Sequence, residues 1–406
     1  MNKLKQILET CKIYNVEKFF KDYLTDAVAY RRSVFEKTSI IDFEKIPYIN
    51  HNPERFYNDI YKKNCENVVG YVPLPVGLVG PLKIMNREHF VPIGTTEGAL
   101  VASLNRGCKV IDYGSDKGVN VVVEDLGMTR APLLRCKTMD ECYNVKNYIK
   151  NNFDQLKKIF ESTTSYGILR KIDCEVVGSH IYIKFYATTG DAMGMNIITK
   201  GCKEVLDYLQ DIFVDLEIES LSSNLCTDKK AAAVNWINGR GKKVNCEVDL
   251  DIDIVESILD TNVEKIIDLN KNKNLIGSSL AGTIGGNNSH ASNIMAGIFV
   301  ATGQDLGQIG TSSMCLTDYN IVNNKLRINT MLPCLEVGTV GGGTDITTQR
   351  SYLKLMGINN TLPAGKNSEL LAEIIGSTVL AGELSLMGGL SNNQLVNAHL
   401  KLNRKN

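Results

Sequence analysis

The chain has 406 residues, with 45 Lys+Arg against 45 Asp+Glu, 43% hydrophobic and 22% charged residues, and a pI near 6.9. A chain of this length forms two or three domains around a sizeable core, so the composition excludes a disordered, collagenous or disulfide-stapled protein. The balanced charge gives no overall attraction to nucleic acid or to an anionic membrane, and we expect neither as a partner. A local cluster of cations must therefore bind any anionic ligand.

The cysteines and the N-terminus bear on location. The 11 cysteines include no C-x-x-C pair, and most lie singly among apolar residues, as Cys108 does beside Val110. This pattern is typical of reduced thiols in a cytoplasmic protein. Residues 1–20 mix charged with apolar residues, unlike a signal peptide, and no run of about 18 apolar residues predicts a membrane span. We expect the protein to be cytoplasmic.

In chain order, the first predicted element is a helical segment over residues 1–45, where apolar residues recur at helical intervals. Residues 68–84 read VVGYVPLPVGLVGPLKI, and the three prolines favour an extended conformation. Residues 119–123 form a short apolar run that predicts a strand.

Polar, lysine-rich residues 138–160 then predict a helix, and the alternation in 181–186 predicts a half-buried strand. This order indicates a compact α+β unit. We therefore place a small inserted domain at 131–220, within a large domain formed by 46–130 and 221–406.

The last third of the chain is rich in small residues, which favour close helix packing. Residues 369–390 predict a long apolar helix that begins at Asn367 or Ser368 as N-cap and is broken at Gly388–Gly389.

Four positions carry residue types suited to catalysis. Lys229, in the string Asp-Lys-Lys, is either a stabiliser of a developing oxyanion or part of a solvated charged turn. Glu97 is either a general acid or a capping carboxylate at the start of a helix. Asp305 is a charge partner or a solvated residue at a helix end, and His399 is a proton donor or an ordinary helix residue. The residue types alone leave these alternatives open.

Glycine-rich strings bear on nucleotide binding. Neither G-x-G-x-x-G nor G-x-x-x-x-G-K-[ST] occurs, which argues against a Rossmann or P-loop site. The strings at 190–196 (GDAMGMN) and 338–344 (GTVGGGT) are either turns that admit a ligand close to the backbone or tight turns alone. We predict no metal site.

Taken together, several long strings resemble 3-hydroxy-3-methylglutaryl-coenzyme A reductase. They follow the family's order over about five-sixths of the chain: ENVVGYVPLPVG (66–77), TTEG (95–98), ASLNRGC (102–108), GDAMGMN (190–196), DKKAAAVNWINGRGK (228–242), GQD (303–305), GTVGGGT (338–344) and AGELSLM (381–387). The tyrosine-and-proline form of the first string is similar to class I, the eukaryotic and archaeal class, and implies a soluble, archaeal-like catalytic unit.

The resemblance implies an α+β fold with a large domain around a long central helix, an inserted small ferredoxin-like domain and a helical N-terminal segment. It also implies a homodimer or homotetramer with an interfacial active site that the ENVVG segment of one subunit reaches. The implied reaction is reduction of hydroxymethylglutaryl-coenzyme A to mevalonate and coenzyme A, in the mevalonate pathway of isoprenoid synthesis, by two hydride transfers from NADPH.

The same resemblance gives roles to individual residues. Lys229 is implied to stabilise the oxyanion, Glu97 to donate a proton, Asp305 to hydrogen-bond between them, and His399 to protonate the departing thiolate of coenzyme A. Three further groups are implied: for the substrate, Arg130, Ser222, Asn224, Asp228, Lys230, Lys273 and Asn293; for coenzyme A, Ser103, Asn105, Arg106 and Lys109; for the nicotinamide cofactor, Thr164, Ser165, Tyr166, Asp191, Met193, Met195, Asn196, Asn403 and Arg404.

One departure from the family concerns the cofactor. Ser165 stands where many NADPH-using members carry an arginine that faces the 2′-phosphate, so NADH is an alternative to NADPH. Two other functions use the same residues: an acyl-coenzyme A hydrolase or lyase, which releases thiol without cofactor oxidation, and a non-catalytic coenzyme A-binding protein. The intact Glu97, Lys229, Asp305 and His399 argue against the latter.

Overall fold

The structure is a computed structural model that describes Tyr30, residues 32–34, Ile60 and residues 63–64, 72–359 and 361–392. Nearly all of the predicted helical segment 1–45 lies outside these residues, as does the ENVVG segment. The same is true of His399, Asn403 and Arg404. The predictions for those residues stay predictions.

Strands make up two sheets in the described part of the chain. The strands are β1 (Val76–Ile84), β2 (Arg87–Gly94), β3 (Asn120–Arg130), β4 (Leu133–Arg135), β5 (Ile168–Val177), β6 (His180–Thr188), β7 (Glu217–Ser220), β8 (Gly241–Asp251), β9 (Gly286–Asn287), β10 (Cys315–Val322) and β11 (Lys325–Leu335).

Helices pack on both sheets. The helices are α1 (Leu100–Gly114), α2 (Met139–Asn151), α3 (Phe153–Glu161), α4 (Met195–Ile212), α5 (Ala233–Asn238), α6 (Ile252–Leu259), α7 (Val263–Leu269), a π-helix (Asn270–Gly277), α8 (Ser278–Leu280), α9 (Ala291–Thr302), a 3-10 turn (Leu306–Gln308), α10 (Ile309–Ser312), a second 3-10 turn (Gly342–Asp345), α11 (Thr347–Leu355) and α12 (Lys366–Ser391).

The larger sheet has the strand order β7-β4-β6-β3-β8-β11-β10-β9, with β5 on the other edge of β6, while β1 and β2 form a separate hairpin. Strand β3 joins its two parts: residues 120–127 pair with β8, and residues 128–130 pair with β6. Arg130 therefore lies on the strand where the two parts of the molecule meet.

The part formed by β4 to β7 has the predicted ferredoxin-like arrangement. Its elements follow the order β-α-β-β-α-β, with α2 and α3 together filling the first helical position, and its strands lie antiparallel in the order β7-β4-β6-β5. The alternation in β6 buries Ile181, Ile183 and Phe185 in a cluster of their own that extends from Leu134 to Leu216. The α+β fold class is confirmed, and the domain boundaries at 131 and 220 stay a prediction.

Helix α12 is the centre of the larger part, where it packs against α1, α9, β3, β8 and β11. A Cβ added at Gly107 of α1 would lie 1.9 Å from the carbonyl oxygen of Ala381, so the two helix backbones touch there. By length and composition α12 could cross a membrane, but 83% of its most apolar window is buried inside the protein, as in a core helix.

Two predicted helices differ in detail from the structure. Helix α12 begins at Lys366, after Gly365, and continues through Gly388–Gly389 to Ser391. Its glycines serve packing, because a Cβ at Gly388 would lie 2.8 Å from Leu259. The predicted helix 138–160 is two helices, interrupted at Asn152, whose side chain donates a hydrogen bond to the Tyr148 carbonyl.

Candidate active site

Lys229 lies in a turn that connects β7 to α5. Three residues of this turn, Asn224, Thr227 and Lys229, have left-handed backbones with φ of 65°, 57° and 59°. The conformation is unfavourable for Thr227 and Lys229, and it persists only where surrounding contacts hold it. It directs the Lys229 ammonium to Asp305 Oδ2, at 3.2 Å. The structure therefore brings together two of the predicted catalytic residues.

Asp228 is held by three neighbours. Gln308 Nε2 donates to its Oδ1 at 2.7 Å, Arg240 Nη2 donates to the same oxygen at 3.2 Å, and Arg130 Nη1 lies 3.7 Å from Oδ2. Burial alone would raise the pKa of Asp228, but these groups and the nearby Lys229 charge lower it below its usual value. Asp228 is thus an ionised carboxylate that binds neighbouring cations, and its contact with substrate stays a prediction.

Behind Asp228 lies the fully buried Arg240. Its guanidinium donates to the Thr129 side chain at 2.8 Å and lies 2.5 Å from Glu336 Oε1. The two groups are in close contact, although neither carboxylate oxygen of Glu336 accepts a hydrogen bond of good geometry. Burial raises the pKa of Glu336 to about 7, and the Arg240 charge opposes the shift. One buried cation thus joins two carboxyl groups beneath the Lys229 turn.

The other residues implied for the substrate near this turn are Arg130, Ser222, Asn224 and Lys230. Arg130 also donates from Nε to the Thr199 hydroxyl at 3.1 Å. Ser222 contacts the Cys226 thiol at 3.5 Å, and Lys230 donates to the Asp228 carbonyl at 3.2 Å. Asn224 and Lys230 are exposed, so both are accessible to a ligand.

Glu97 lies near the N-terminal end of α9, whereas Asp305 follows the C-terminal end of that helix. Its Oε2 accepts a 2.7 Å hydrogen bond from Asn293 Nδ2, in the first turn of that helix. Glu97 does not cap α1, because that helix begins at Leu100 after Ala99, and the Glu97 side chain is exposed. The capping alternative is wrong, and Glu97 remains a candidate acid paired with the predicted substrate residue Asn293.

Helix α9 is fixed at this end by α12. The buried Glu383 accepts hydrogen bonds from the backbone N–H groups of Ser289 and His290, at 2.7 and 2.8 Å, immediately before the helix begins. A carboxylate at a helix N-terminus satisfies free donors and complements the helix dipole. Glu383 thereby holds in place the turn that carries Asn293.

Lys273 is carried by the π-helix. The buried amides of Asn270 and Asn274 bond to each other at 2.8 Å, and the Ser289 hydroxyl donates to Asn274 Oδ1 at 2.9 Å. Lys273 Nζ also lies 3.5 Å from Asn274 Oδ1. This network ties Lys273 to the Ser289 segment, and so to the α9 end where Glu97 lies.

The predicted catalytic residues therefore fall into two groups within one chain. Glu97, with Asn293, is at the start of α9, and Asp305, with Lys229, follows its end. The helix rises about 14 Å from Asn293 to Thr302, which are nine steps of about 1.5 Å apart. Among the contacts of the described residues, none joins Glu97 to Lys229 or Asp305. The predicted bridge from Asp305 to Glu97 is absent within the described part of one chain.

Residues implied for coenzyme A lie on α1, and three of the four already have partners in the protein. Arg106 donates to the Ser385 hydroxyl and carbonyl, at 3.0 and 2.7 Å, and Ser103 contacts the same hydroxyl at 3.0 Å. Asn105 accepts from Gly80 N–H at 2.9 Å. Lys109 is exposed, with its ammonium over the Tyr113 ring. Lys109 is thus the freest of the four for an anionic ligand.

The described residues implied for the nicotinamide cofactor lie in two adjacent segments, the first of which is the GDAMGMN turn and the start of α4. Asp191 Oδ1 accepts from Ser368 N–H at 2.9 Å, so its carboxylate caps α12. Met193 adjoins Gly338, where an added Cβ would lie 2.4 Å from the Met193 nitrogen. Met195 Sδ accepts from Arg240 at 3.2 Å, whereas Asn196 is exposed.

The second segment is the loop that follows α3. Thr164 accepts from the N–H groups of Tyr166 and Gly167, at 3.2 and 3.1 Å, and Ser165 and Tyr166 are exposed. The Tyr166 side chain lies over Gly190, where an added Cβ would be 3.5 Å away. The loop therefore lies beside the GDAMGMN turn, as a shared ligand would require.

Three site residues were missed by the sequence reasoning: Arg240, Gln308 and Glu336. Arg240 lies inside the string DKKAAAVNWINGRGK, where an arginine between two glycines is the one available signal. Gln308 and Glu336 lie in apolar surroundings without a motif, and only the fold brings them beneath the Lys229 turn.

Comparison with known proteins adds sequence relatives. A family model described as hydroxymethylglutaryl-coenzyme A reductase matches residues 27–404. The chain is 44% identical over 384 residues to 3-hydroxy-3-methylglutaryl-coenzyme A reductase 2 of Capsicum annuum, covering 93% of the chain and 63% of the relative. It is 45% identical to reductase 1 of Hevea brasiliensis, covering 93% and 66%, and 44% identical to the Fusarium fujikuroi reductase, covering 96% and 41%. The chain thus spans less than two thirds of the length of these relatives.

Solved structures share the fold. A class II 3-hydroxy-3-methylglutaryl-CoA reductase from Streptococcus pneumoniae, bound to NADPH in open conformations, superposes with a TM-score of 0.62 at 18% identity. The match covers 84% of this chain and 93% of that one. At this identity the likeness concerns the fold alone.

Proposed function

We propose that this chain, which belongs to the hydroxymethylglutaryl-coenzyme A reductase family, reduces hydroxymethylglutaryl-coenzyme A to mevalonate and coenzyme A. The reaction consumes two NAD(P)H and two protons per thioester and supplies mevalonate for isoprenoid synthesis. The observation that carries the proposal is the Lys229–Asp305 pair at 3.2 Å, on a turn whose strained backbone serves to place one ammonium group. The 44–45% identity to plant and fungal reductases supports a class I enzyme.

Lys229 stabilises negative charge on the substrate's carbonyl oxygen, first when the thioester accepts a hydride and again when the aldehyde does. Its ammonium is half-exposed beside one carboxylate, so it keeps donors free for an oxyanion. Asp305 orients that ammonium, and Asp305 is itself held by a hydrogen bond from Gly307 N–H at 3.0 Å. Arg130 and Lys230 add positive charge near the turn, suited to a substrate carboxylate.

Proton transfer is assigned to Glu97 and His399. Glu97 is accessible and oriented by Asn293, and it donates a proton to the oxygen that becomes the alcohol. His399, which lies outside the described residues, protonates the coenzyme A thiolate. The assignment of His399 rests on the family resemblance and on the near-neutral pKa typical of histidine.

The two adjacent segments fit a nicotinamide dinucleotide. Ala192 pairs with Val340, and an added Cβ at Gly341 or Gly342 would meet open space, so backbone at this edge is accessible to a large ligand. Met193, Tyr166 and Ser165 line the same edge. Each bound cofactor would supply one hydride, so two cofactors would bind there in succession during one reaction. NADPH is the proposed donor, with NADH as the alternative that Ser165 raises.

The active form is proposed to be a homodimer or a homotetramer built from dimers. About 14 Å of helix separates the Glu97 and Lys229 groups within one chain. A two-fold axis that brings the start of α9 in one subunit near the end of α9 in the other completes two identical sites. Coenzyme A then binds near Lys109 of the subunit that supplies Glu97.

A cytoplasmic location is also proposed. Nine cysteines in the described residues are free, and eight of these are buried. Free thiols in this number suit a reducing compartment. Cell fractionation should recover the full chain with the soluble fraction, and recovery only with membranes would contradict this.

The reaction is tested by following reduced-nicotinamide absorbance and thiol release together, with hydroxymethylglutaryl-coenzyme A and either NADPH or NADH. We expect two cofactors oxidised per thiol released, and loss of both signals in Lys229→Ala. Thiol release without cofactor oxidation would identify a hydrolase or lyase instead. Ligand binding without either signal would identify a binding protein.

A further inference from the structure

Gln308 is a fully buried glutamine, and both its amide nitrogen and its amide oxygen form hydrogen bonds with the Lys229 turn. Its Nε2 donates to Asp228 Oδ1 at 2.7 Å, and its Oε1 accepts from the Lys229 backbone N–H at 3.3 Å. Arg240 Nη1 lies 3.5 Å from the same Oε1. A single side chain therefore contacts two successive residues of a turn that belongs to a distant part of the sequence.

The turn needs external contacts because its backbone is unfavourable. Thr227 and Lys229 adopt left-handed φ values of 57° and 59°, although each carries a side chain. Such a conformation is kept only when neighbouring groups determine it. The hydrogen bond from the Lys229 N–H to Gln308 acts directly on the residue that is strained.

Gly307, one residue earlier, contacts the lysine side chain. A Cβ added at Gly307 would lie 2.7 Å from Lys229 Cδ and 3.0 Å from Cε, so the lysine methylenes pass directly over this glycine. The Asp305–Gln308 segment thus contacts three parts of Lys229. Gln308 contacts its backbone, Gly307 its side-chain methylenes and Asp305 its ammonium group.

We infer that Gln308 and Gly307 are positioning residues that fix the Lys229 ammonium in its catalytic place, Gln308 through the backbone and Gly307 by leaving room for the side chain. The inference rests on the proposed reductase function, in which Lys229 stabilises the oxyanion. A purely structural role for Gln308, as a ligand of the buried Arg240, makes a different prediction: lower stability with unchanged turnover per folded molecule.

Three variants separate these roles. Gln308→Met keeps the length of the side chain and removes its hydrogen bonds to Asp228, Lys229 and Arg240. We expect kcat to fall about 100-fold with KM changed less than about threefold, as for a small misplacement of a catalytic group. Gly307→Ala adds one methyl group at an exposed position, and we expect a kcat about tenfold lower with an unchanged melting temperature. Gln210→Met is the matched control, since it removes a glutamine hydrogen bond to the Leu216 carbonyl in the smaller part of the molecule. The control should keep wild-type kcat.

Gln308→Glu offers a second test, the pH dependence of kcat, which a change in stability alone would not alter. The new carboxyl oxygen would face Asp228 Oδ1. Arg240 contacts Asp228 from the buried side, and Glu336 lies beyond Arg240. The other charged groups nearby are Lys229, on the turn itself, and Asp305, three residues before position 308. Two carboxylates so close share a proton, and the shared proton restores the lost donor. The kcat of this variant relative to wild type should therefore rise as the pH falls, whereas that of Gln308→Met should not. A Gln308→Glu profile parallel to that of wild type would overturn the inference.

Wild-type enzyme assayed in parallel separates the two levels of the proposal. If wild type turns over and Gln308→Met and Gly307→Ala do so at the same rate, the positioning roles are wrong and the reductase function stands. If wild type is inactive, the reductase function is wrong, and crystal structures decide the geometry. The Lys229–Asp305 distance, 3.2 Å here, should exceed about 4 Å in Gln308→Met, and an unchanged distance would overturn the positioning role.

Discussion

Lys229 Nζ lies 3.2 Å from Asp305 Oδ2, and this contact joins the turn before α5 to the segment after α9. Both side chains are partly exposed, so the pair itself adds little to stability. The role of the pair is to fix the position of the Lys229 ammonium group. The ammonium N–H donors that do not face Asp305 can bind a ligand.

Replacement of that lysine tests the role directly. Lys229→Ala should lower kcat about 1000-fold, since it removes the main donor to the oxyanion, with unfolding by urea nearly unchanged. Lys243→Ala is a suitable control, because Lys243 also pairs with a carboxylate, Glu124, on strand β8 away from the turn. Equal activity of the two variants would remove Lys229 from the chemistry.

Glu383 should matter for stability more than for chemistry. Glu383→Leu leaves the half-buried N–H groups of Ser289 and His290 without their carboxylate acceptor, and we expect the free energy of unfolding to fall by about 3 kcal/mol. Glu383→Gln keeps one acceptor oxygen and should cost about half as much. Urea denaturation of the two variants measures both values, and a loss below about 1 kcal/mol in Glu383→Leu would contradict the capping role.

The buried Glu336 should make stability depend on pH. Burial raises its pKa to about 7, so between its ordinary value of 4.5 and about 7 the folded chain holds a proton that the unfolded chain has released. Its contribution is therefore fully present below pH 4.5 and is lost as the pH rises through 7. The maximum effect is about 3 kcal/mol.

Glu336→Gln removes this titration while keeping the side-chain shape. The wild-type free energy of unfolding, measured from pH 4.5 to pH 8, should decline relative to that of the variant as the pH rises. Parallel curves would show that Glu336 is ionised throughout, as the Arg240 contact at 2.5 Å alone would favour.

Ser165 should govern the choice between cofactors. Ser165→Arg places a guanidinium on the exposed loop beside Tyr166, where it can pair with a 2′-phosphate. We expect the ratio of kcat/KM for NADPH to that for NADH to rise about tenfold, chiefly through KM for NADPH. Ser162→Arg, on the same exposed stretch, is the control for added charge, and an equal effect there would make the position of Ser165 irrelevant.

Much of the fold follows from local patterns, and the failures have physical causes. Alternating residues in β6 and the long apolar run of α12 predict the correct elements, because one sheet face and one helix must be buried. The end of α12 is predicted wrongly, because Gly388 does not end the helix but packs closely against Leu259.

The site was less accessible to sequence reasoning. The strings around Glu97, Lys229 and Asp305 indicate candidate residues, but their grouping depends on α9, which separates Glu97 from the other two. Gln308 and Glu336 act through contacts formed between distant segments, so no local pattern could indicate them.

The central claim is that Glu97 of one subunit and Lys229 of another act in the same reductase site. Glu97→Gln and Lys229→Ala, each inactive alone, are co-expressed with different affinity tags, and the mixed oligomers are purified and assayed for NADPH oxidation with hydroxymethylglutaryl-coenzyme A. A shared site predicts about half of wild-type activity, because one of the two sites in each mixed dimer has both residues intact. Mixed oligomers as inactive as the parent variants would contradict the account.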